Sequence, residues 1–312
     1  MTAPGARRAA RRLVGGTVLA GAGVLAWSLV EARSFVLRRV RVPVLEPGAA
    51  PLRVLHLSDL HLTPRSGRER DWVAGLAALE PDLTLVTGDF LAHVDAVPTV
   101  QAALGGLLRR PGAFVLGSND YHAPVVRNPL RYFTGPSSLE HDPVPLPTED
   151  LVAALTGPGW LDLTNRRATA EVAGRTVRFV GVDDPHLQRD RMPEPEHGRR
   201  ASGLRIGVSH APYRRVLDAM AEDGADLVVA GHTHGGQVCV PGLGALVTNC
   251  DLPRRYAKGL FAWASDVPAR DGFSAPRASW VNVSAGLGTS PFTPVRLACR
   301  PEATLLTLVP RA

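Results

Sequence analysis

Five short apolar runs in this 312-residue chain each end in a polar turn bearing Asp, Asn or His, and this recurrence narrows the available folds more than any other feature. The runs are "LRVLHLSDLHL", "DLTLVTGDF", "AFVLGSND", "GLRIGVSHAP" and "ADLVVAGHTHGG". Each is short, apolar and bounded by turn residues, which is the signature of a buried strand. Stretches with helical spacing lie between them. "RERDWVAGLAALEP" carries Trp72, Val73, Leu76 and Leu79 on one face and stops at Pro81; "TVQAALGGLLRRPG" closes on Pro111-Gly112; "PYRRVLDAMAEDG" precedes the last run. Strand and helix in alternation predict an α/β domain built from crossover units. "RATAEVAGRTVRFVGVDD" alternates about a glycine turn and predicts a β-hairpin. Residues 121–150, rich in Pro, Ser and charge, predict a long loop or cap insertion.

The N-terminal segment has a different character. Residues 1–45 hold eight arginines and a single acid, Glu31, whereas the whole chain has a net charge of +6. The rest of the chain is therefore close to neutral, and no nucleic-acid partner is expected. "LVGGTVLAGAGVLAWSLV", Leu13 to Val30, is an uncharged run of 18 residues. As a helix it would be about 27 Å long, near the thickness of a bilayer core. A single-pass membrane anchor over residues 13–30 is the expectation. A cleaved export signal is the alternative: "VEA" at Val30–Ala32 is a passable cleavage site, although the apolar run exceeds a usual signal core. "RVRVPVLEPGAAP", Arg41 to Pro51, reads as a linker from its prolines and glycine. The expected organisation is residues 1–45 as basic terminus, anchor and linker, followed by one domain over 46–312. Arginines flank both ends of the apolar run equally, so the membrane face of the domain stays open. The three cysteines, Cys239, Cys250 and Cys299, have no C-x-x-C spacing and read as free thiols.

In an open α/β sheet, ligands bind outside the carboxyl ends of the strands. The polar residues at those ends are Asp59 and His61, Asp89, Asn119 and Asp120, His210, and His232 with His234. In extended chain, residues i and i+2 face the same way, so Asp59/His61 and His232/His234 can each aim into one site. Imidazole, carboxylate and amide donors without thiolate suit Mn, Fe or Zn. Seven donors (Asp59, His61, Asp89, Asn119, His210, His232, His234) exceed one coordination sphere and suit two divalent ions about 3.5–4 Å apart. Such a pair attracts an anionic ester and supplies a metal-bound hydroxide to attack it.

These motifs, in this order, resemble the calcineurin-like metallophosphoesterases, whose pattern is D-x-H, G-D, G-N-H-D/E, a lone H, and G-H-x-H. Here they read "SDLHL", "TGDF", "LGSND", "SHAP" and "AGHTHGGQ". The ending "GHTHGGQ", the tail "SAGLGTSPFTPVRLACRPEATLLTL" and the apolar N-terminus are similar to a bacterial membrane-associated subgroup, the YkuE- and YaeI-like proteins. The resemblance covers roughly residues 52–310. It implies a four-layer α/β/β/α sandwich of two mixed sheets. One ion would be held by Asp59, His61, Asp89 and His234, the other by Asp89, Asn119, His210 and His232, with Asp89 bridging. The departure is "GSND", where the family has Gly-Asn-His-Asp. A gapless match puts Ser118 at the Asn position and Asn119 at the His position. A one-residue slip keeps Asn119 as the ligand and places Asp120 in the histidine's stead, and amide ligation favours the slip. Asn119 and Asp120 are therefore the candidate catalytic residues. The implied function is hydrolysis of a phosphomonoester, a phosphodiester or a lipid-linked (pyro)phosphate at the membrane. The alternative, motivated by the broken motif, is a metal-binding but catalytically weak envelope protein with a sensing or scaffold role.

Overall fold

The computed structural model describes residues 4–125, 144–194, 203–264 and 278–311, with side chains from Gly15 onward. In chain order the helices are α1 (Pro4–Glu31), α2 (Gly67–Gly75), α3 (Val97–Leu104), α4 (Ser118–Tyr121), α5 (Thr148–Thr156) and α6 (Arg214–Glu222). The first strands are β1 (Val36–Leu45), β2 (Leu52–Leu57), β3 (Leu83–Thr87), β4 (Gly112–Val115) and β5 (Leu161–Asp162). Next come β6 (Arg167–Val172), β7 (Arg175–Gly181), β8 (Leu204–Val208) and β9 (Leu227–Ala230). The last are β10 (Cys239–Val240), β11 (Gly244–Ala245), β12 (Gly259–Trp263), β13 (Ser279–Val283) and β14 (Glu302–Pro310).

Two six-stranded sheets form, in the orders β1-β14-β2-β3-β4-β5 and β12-β13-β9-β8-β7-β6. Both are mixed: β2, β3, β4 and β5 run parallel while β14 opposes β2, and β7, β8, β9 and β13 run parallel while β6 and β12 oppose their neighbours. The side-chain period of two divides each central strand between two cores. In β2, Leu52 and Val54 meet Phe179, Ile206 and Val229 between the sheets, while Leu55 and Leu57 face the helical layer with Val73, Val100 and Leu155. Beyond the second sheet, Val216, Leu217 and Met220 of α6 pack on Val228, Val281 and Val283. Helices, sheet, sheet and helix make four layers, as the family resemblance implied.

Two expectations need revision or narrowing. Arg41–Leu45, read as linker, belongs to β1, which pairs parallel with β14 from Val36↔Glu302 to Leu45↔Pro310. Pro43 is tolerated because β1 is an edge strand and its register shifts there. The first sheet thus begins ten residues before the expected domain start. The expected anchor falls within α1, with the side chains of Leu13 and Val14 outside the described residues. Among the described residues no helix is long and apolar enough to cross a membrane. The predicted hairpin is present: β6 and β7 pair about Ala173-Gly174, both at positive φ, as a tight two-residue hairpin turn requires. Most of the expected cap, residues 126–143, lies outside the described residues.

One buried polar chain ties the sheets together near their carboxyl ends. Asn282 of β13 donates from Nδ2 to His56 Nδ1 at 2.9 Å, so His56 carries its proton on Nε2, 3.0 Å from Thr87 Oγ1. Thr87 Oγ1 donates to Ser58 Oγ at 2.7 Å, and Ser58 Oγ donates to Asp59 Oδ2 at 2.6 Å. Burial pushes the His56 imidazole down to about 3, so it stays neutral when folded. In the unfolded chain it takes a proton below its ordinary value of about 6.5. The unfolded state binds more protons between these values, so stability falls as pH drops from about 6.5 towards about 3. Urea unfolding of wild type and His56→Asn across that window should differ in slope, with wild type losing of the order of a few kcal/mol more.

Candidate metal centre

Every predicted donor lies just beyond the carboxyl end of a strand: Asp59 and His61 after β2, Asp89 after β3, Asn119 after β4, His210 after β8, and His232 and His234 after β9. The backbone there is strained. Asp59, His61, Asp89, His232 and His234 all have positive φ, between 43° and 66°. Each such non-glycine residue costs of the order of 1–3 kcal/mol and persists only where its surroundings over-determine it. Backbone bonds from one strand end to the next do this: Asp59 N–H donates to Gly88 O at 3.0 Å, His61 N–H to Asp89 O at 2.9 Å, and Gly231 N–H to His210 O at 2.8 Å. Two glycines allow the loops to close in. A Cβ on Gly117 would run into Asp89 and His210, and one on Gly231 would run into Ser58 and Asp59.

The side chains converge in two overlapping groups. Asp59, His61 and His234 form one, and Asp59, Asp89 and His210 the other. His61 Nε2 is 3.2 Å from His234 Nε2 and 3.4 Å from Asp89 Oδ2, and His234 Nε2 is 3.6 Å from Asp59 Oδ1. On the other side, His210 Nε2 is 3.6 Å from Asp89 Oδ1 and 3.2 Å from His232 Nδ1. His210 Nδ1 lies 2.7 Å from the Thr87 carbonyl, which only accepts, so Nδ1 carries a proton and Nε2 is the nitrogen that faces the site. Burial, reinforced by neighbouring imidazoles, pulls His232 and His234 well below the usual histidine range and keeps them neutral. Facing ring nitrogens about 3.2 Å apart around shared carboxylates are what nitrogen ligands about 2.1 Å from a common cation would present. The donor set therefore fits divalent metal.

Asp59 is common to both groups, and Asp89 has an imidazole against each oxygen, His61 near Oδ2 and His210 near Oδ1. Asn119 donates to Asp89 Oδ1 from the backbone and to Asp89 Oδ2 from Nδ2, both at 2.8 Å. Burial opposes its charge, but His210, His61 and the Asn119 bonds prevail and hold it below the ordinary carboxylate range. Burial raises Asp59. Burial opposes the charge of His210, yet the carboxylates of Asp89, Asp184 and Asp59 lift it to about 9. The buried acids thus demand positive charge, and divalent ions would supply it.

Asp120 has its hydrogen bonds on backbone amides around the site. Fully buried, it accepts N–H from Gly117 and Asp89 on Oδ2 (2.9 and 2.8 Å) and from Phe90 and Leu91 on Oδ1 (2.7 and 3.2 Å). Both oxygens are engaged in shaping the loop that carries Asp89. Burial and the Asp89 charge lift its carboxyl to about 7, against the pull of those N–H donors.

Several residues at the site escaped the sequence reading. Asp184, buried after β7, accepts the N–H of His186 on Oδ1, and its Oδ2 has no hydrogen-bond partner. The signal was available, because "GVDD" is one more strand ending in Asp, but it was read only as the end of a hairpin. The His186 ring lies 4.6 Å from the His232 ring, and its Nδ1 is 3.1 Å from Tyr213 Oη. Asn249 reaches His232 Nε2 from Nδ2 at 3.3 Å. Arg296, fully buried, donates from Nη2 to the Gly288 and Gly286 carbonyls at 2.8 and 3.2 Å and lies 3.4 Å from His234 Nδ1. No motif marks Asn249, and Arg296 lies within the tail that carries the subgroup resemblance but has no assigned role there.

Asp120→Ala would leave four buried backbone donors without their acceptor. It should destabilise the fold by about 3 kcal/mol or more and lower metal content, read by urea unfolding and elemental analysis. An unchanged midpoint with full metal content would contradict the loop-shaping role.

A family model described as calcineurin-like phosphoesterase matches residues 52–236. A bovine "transmembrane protein with metallophosphoesterase domain" is 28% identical over 280 residues, covering 86% of this chain and 56% of that relative. This chain therefore spans little more than half the length of that protein. The phosphodiesterase YaeI of Escherichia coli is 26% identical, with 88% of each chain covered. The UDP-2,3-diacylglucosamine pyrophosphatase LpxG of Chlamydia trachomatis is 24% identical, covering 61% of this chain and 65% of that one.

Proposed function

This chain belongs to the calcineurin-like phosphoesterase family, with YaeI-like relatives, and is a hydrolase; we propose that it cleaves a phosphate ester or pyrophosphate at a dinuclear metal centre. The observation that carries this reading is the set of facing imidazole nitrogens on either side of Asp89. Asp59, His61, Asp89 and His234 would hold one ion, and Asp89, Asn119, His210 and His232 the other. Mn, Fe and Zn suit these donors. When bound, such ions supply an activated water and polarise the phosphoryl oxygens.

The chain's own residues orient and hold this centre. Asn119, with its backbone N–H and its Nδ2 on Asp89, fixes the carboxylate that both ions would share. The chain Asn282–His56–Thr87–Ser58 fixes Asp59 from behind. Thr87 O holds His210 in the tautomer that faces inward. Asp120 shapes the Asp89 loop and does not itself donate a proton to the leaving group. With the family's motif histidine absent, substrates with good leaving groups, such as aryl phosphodiesters, suit the site best. The same gap motivates the second reading, a metal-binding protein with weak catalysis and a sensing or scaffold role.

Turnover of a nitrophenyl phosphodiester with Mn²⁺ separates the two. Wild type should turn over, and Asp89→Asn, which weakens both ion sites, should lose at least about 100-fold. Chelation should abolish activity and Mn²⁺ restore it. A metal-loaded wild type without turnover would favour the scaffold.

Membrane attachment through α1 is part of the proposal. Val18, Leu19, Val24, Leu25, Leu29 and Val30 are exposed apolar residues on that helix, and the bovine relative is named a transmembrane protein. An anchored site meets lipid-linked phosphates, and LpxG is named for a pyrophosphate of that kind. Phosphate release should be faster from a lipid-linked pyrophosphate in detergent micelles than from soluble nucleotides. Activity on nucleotides alone would rule out the lipid-linked substrate.

A further inference from the structure

Glu31 is the last residue of α1 and the only acid before residue 46. An acidic side chain at a helix C-terminus opposes the helix dipole, so its placement there calls for a compensating contact. The contact is made across the fold. Glu31 is buried, and its Oε1 accepts the N–H of Cys299 at 2.7 Å. Its Oε2 accepts the N–H of Ala298 at 3.1 Å and the indole N–H of Trp27 at 3.0 Å. One turn earlier, the Ser28 carbonyl accepts the N–H of Arg296 at 3.0 Å. Further along, Arg300 donates to the Ser34 and Phe35 carbonyls at 2.7 and 3.1 Å, and Val36 N–H donates to Pro301 O at 2.9 Å. Residues 28–36 therefore run alongside residues 296–301 through paired contacts.

That second segment braces a predicted metal ligand. Ala298 has φ of 51°, a strained turn of the kind that needs external support. The Cys299 thiol donates to the His234 carbonyl at 3.3 Å, and the Arg296 guanidinium packs against the His234 ring and carbonyl. We propose that the end of α1 is a built-in part of the metal centre, with Glu31 a positioning residue that holds His234 through the 296–299 turn. This rests on the dinuclear reading above. It has a consequence for the N-terminus. Cleavage after Ala32 would remove Ser28, Trp27 and Glu31 together, so the helix stays attached to the mature protein.

The test uses the full chain in detergent, stripped of metal and dialysed against graded free Mn²⁺, with bound ion measured by elemental analysis. Groups that orient metal ligands from behind are worth about 10–100-fold in metal affinity. Glu31→Ala should raise the free Mn²⁺ that half-fills one ion site by at least about 10-fold and leave the other unmoved. Glu31→Gln, which keeps one acceptor oxygen, should fall between and serves if the alanine variant does not fold. Leu155→Ala, a buried core truncation on α5, controls for general destabilisation and should keep both ions. Wild-type affinity for both ions in the Glu31 variants would overturn the proposal. So would an equal loss in Leu155→Ala, or a mature N-terminus at Arg33 by mass. A wild type that binds no ion would instead overturn the metal centre itself, and this role with it.

Discussion

The carboxylate of Asp89 is the interaction on which the rest depends. Both its oxygens are approached by an imidazole, His61 on one side and His210 on the other, while Asn119 donates to each. A buried acid in that position needs cations, and the fold is arranged to bring donors rather than charges to it. Loops from both sheets must therefore meet at one point. The left-handed backbone at five of the donors is the local cost, and the ladder of strand-end hydrogen bonds offsets it.

That demand explains the division of labour among the buried polar groups. Asp120 bonds backbone amides, so the Asp89 loop keeps its shape without help from a ligand. His56 and Asn282 bond each other across the interlayer core, so the two sheets hold a common register behind Asp59. Arg296 bonds the carbonyls of Gly286 and Gly288, where a buried cation can be hosted near His234 without facing solvent. Asp120, His56 and Asn282 thus spend their polar atoms on protein partners, and the groups left facing one another are the predicted metal donors.

Much of this was legible in the sequence, for a specific reason. A strand end is a local object, and Asp or His at that point can be read without knowing its neighbours. β2, β3, β4, β8 and β9 were all legible this way, and the seven candidate donors follow their ends. β1 was missed because Pro43 signals a linker unless its edge position is known. The backbone bonds of Asp120 were not legible, because spacing cannot say whether a side chain points into a pocket or back onto its own loop. Glu31 and Arg296 lay beyond reach for a third reason. The partners of Glu31 are 267 and 268 residues away, and those of Arg296 include the Gly286 and Gly288 carbonyls, which no spacing rule connects to it.

The pairing of the two ends of the chain has a consequence for how the protein is made. β14 is the final strand, yet it sits between β1 and β2, joining both. The nascent chain therefore cannot complete its first sheet until residues 302–310 have left the ribosome. Long-range pairing of this kind is slow and exposes unpaired edges while it is pending. The 296–301 turn just before β14 arrives equally late, so the surroundings of His234 close only once that stretch has been made. A folding intermediate short of that step would hold most of the ligands with nothing behind His234, which makes metal capture a late event in the life of the chain rather than a seed for its folding.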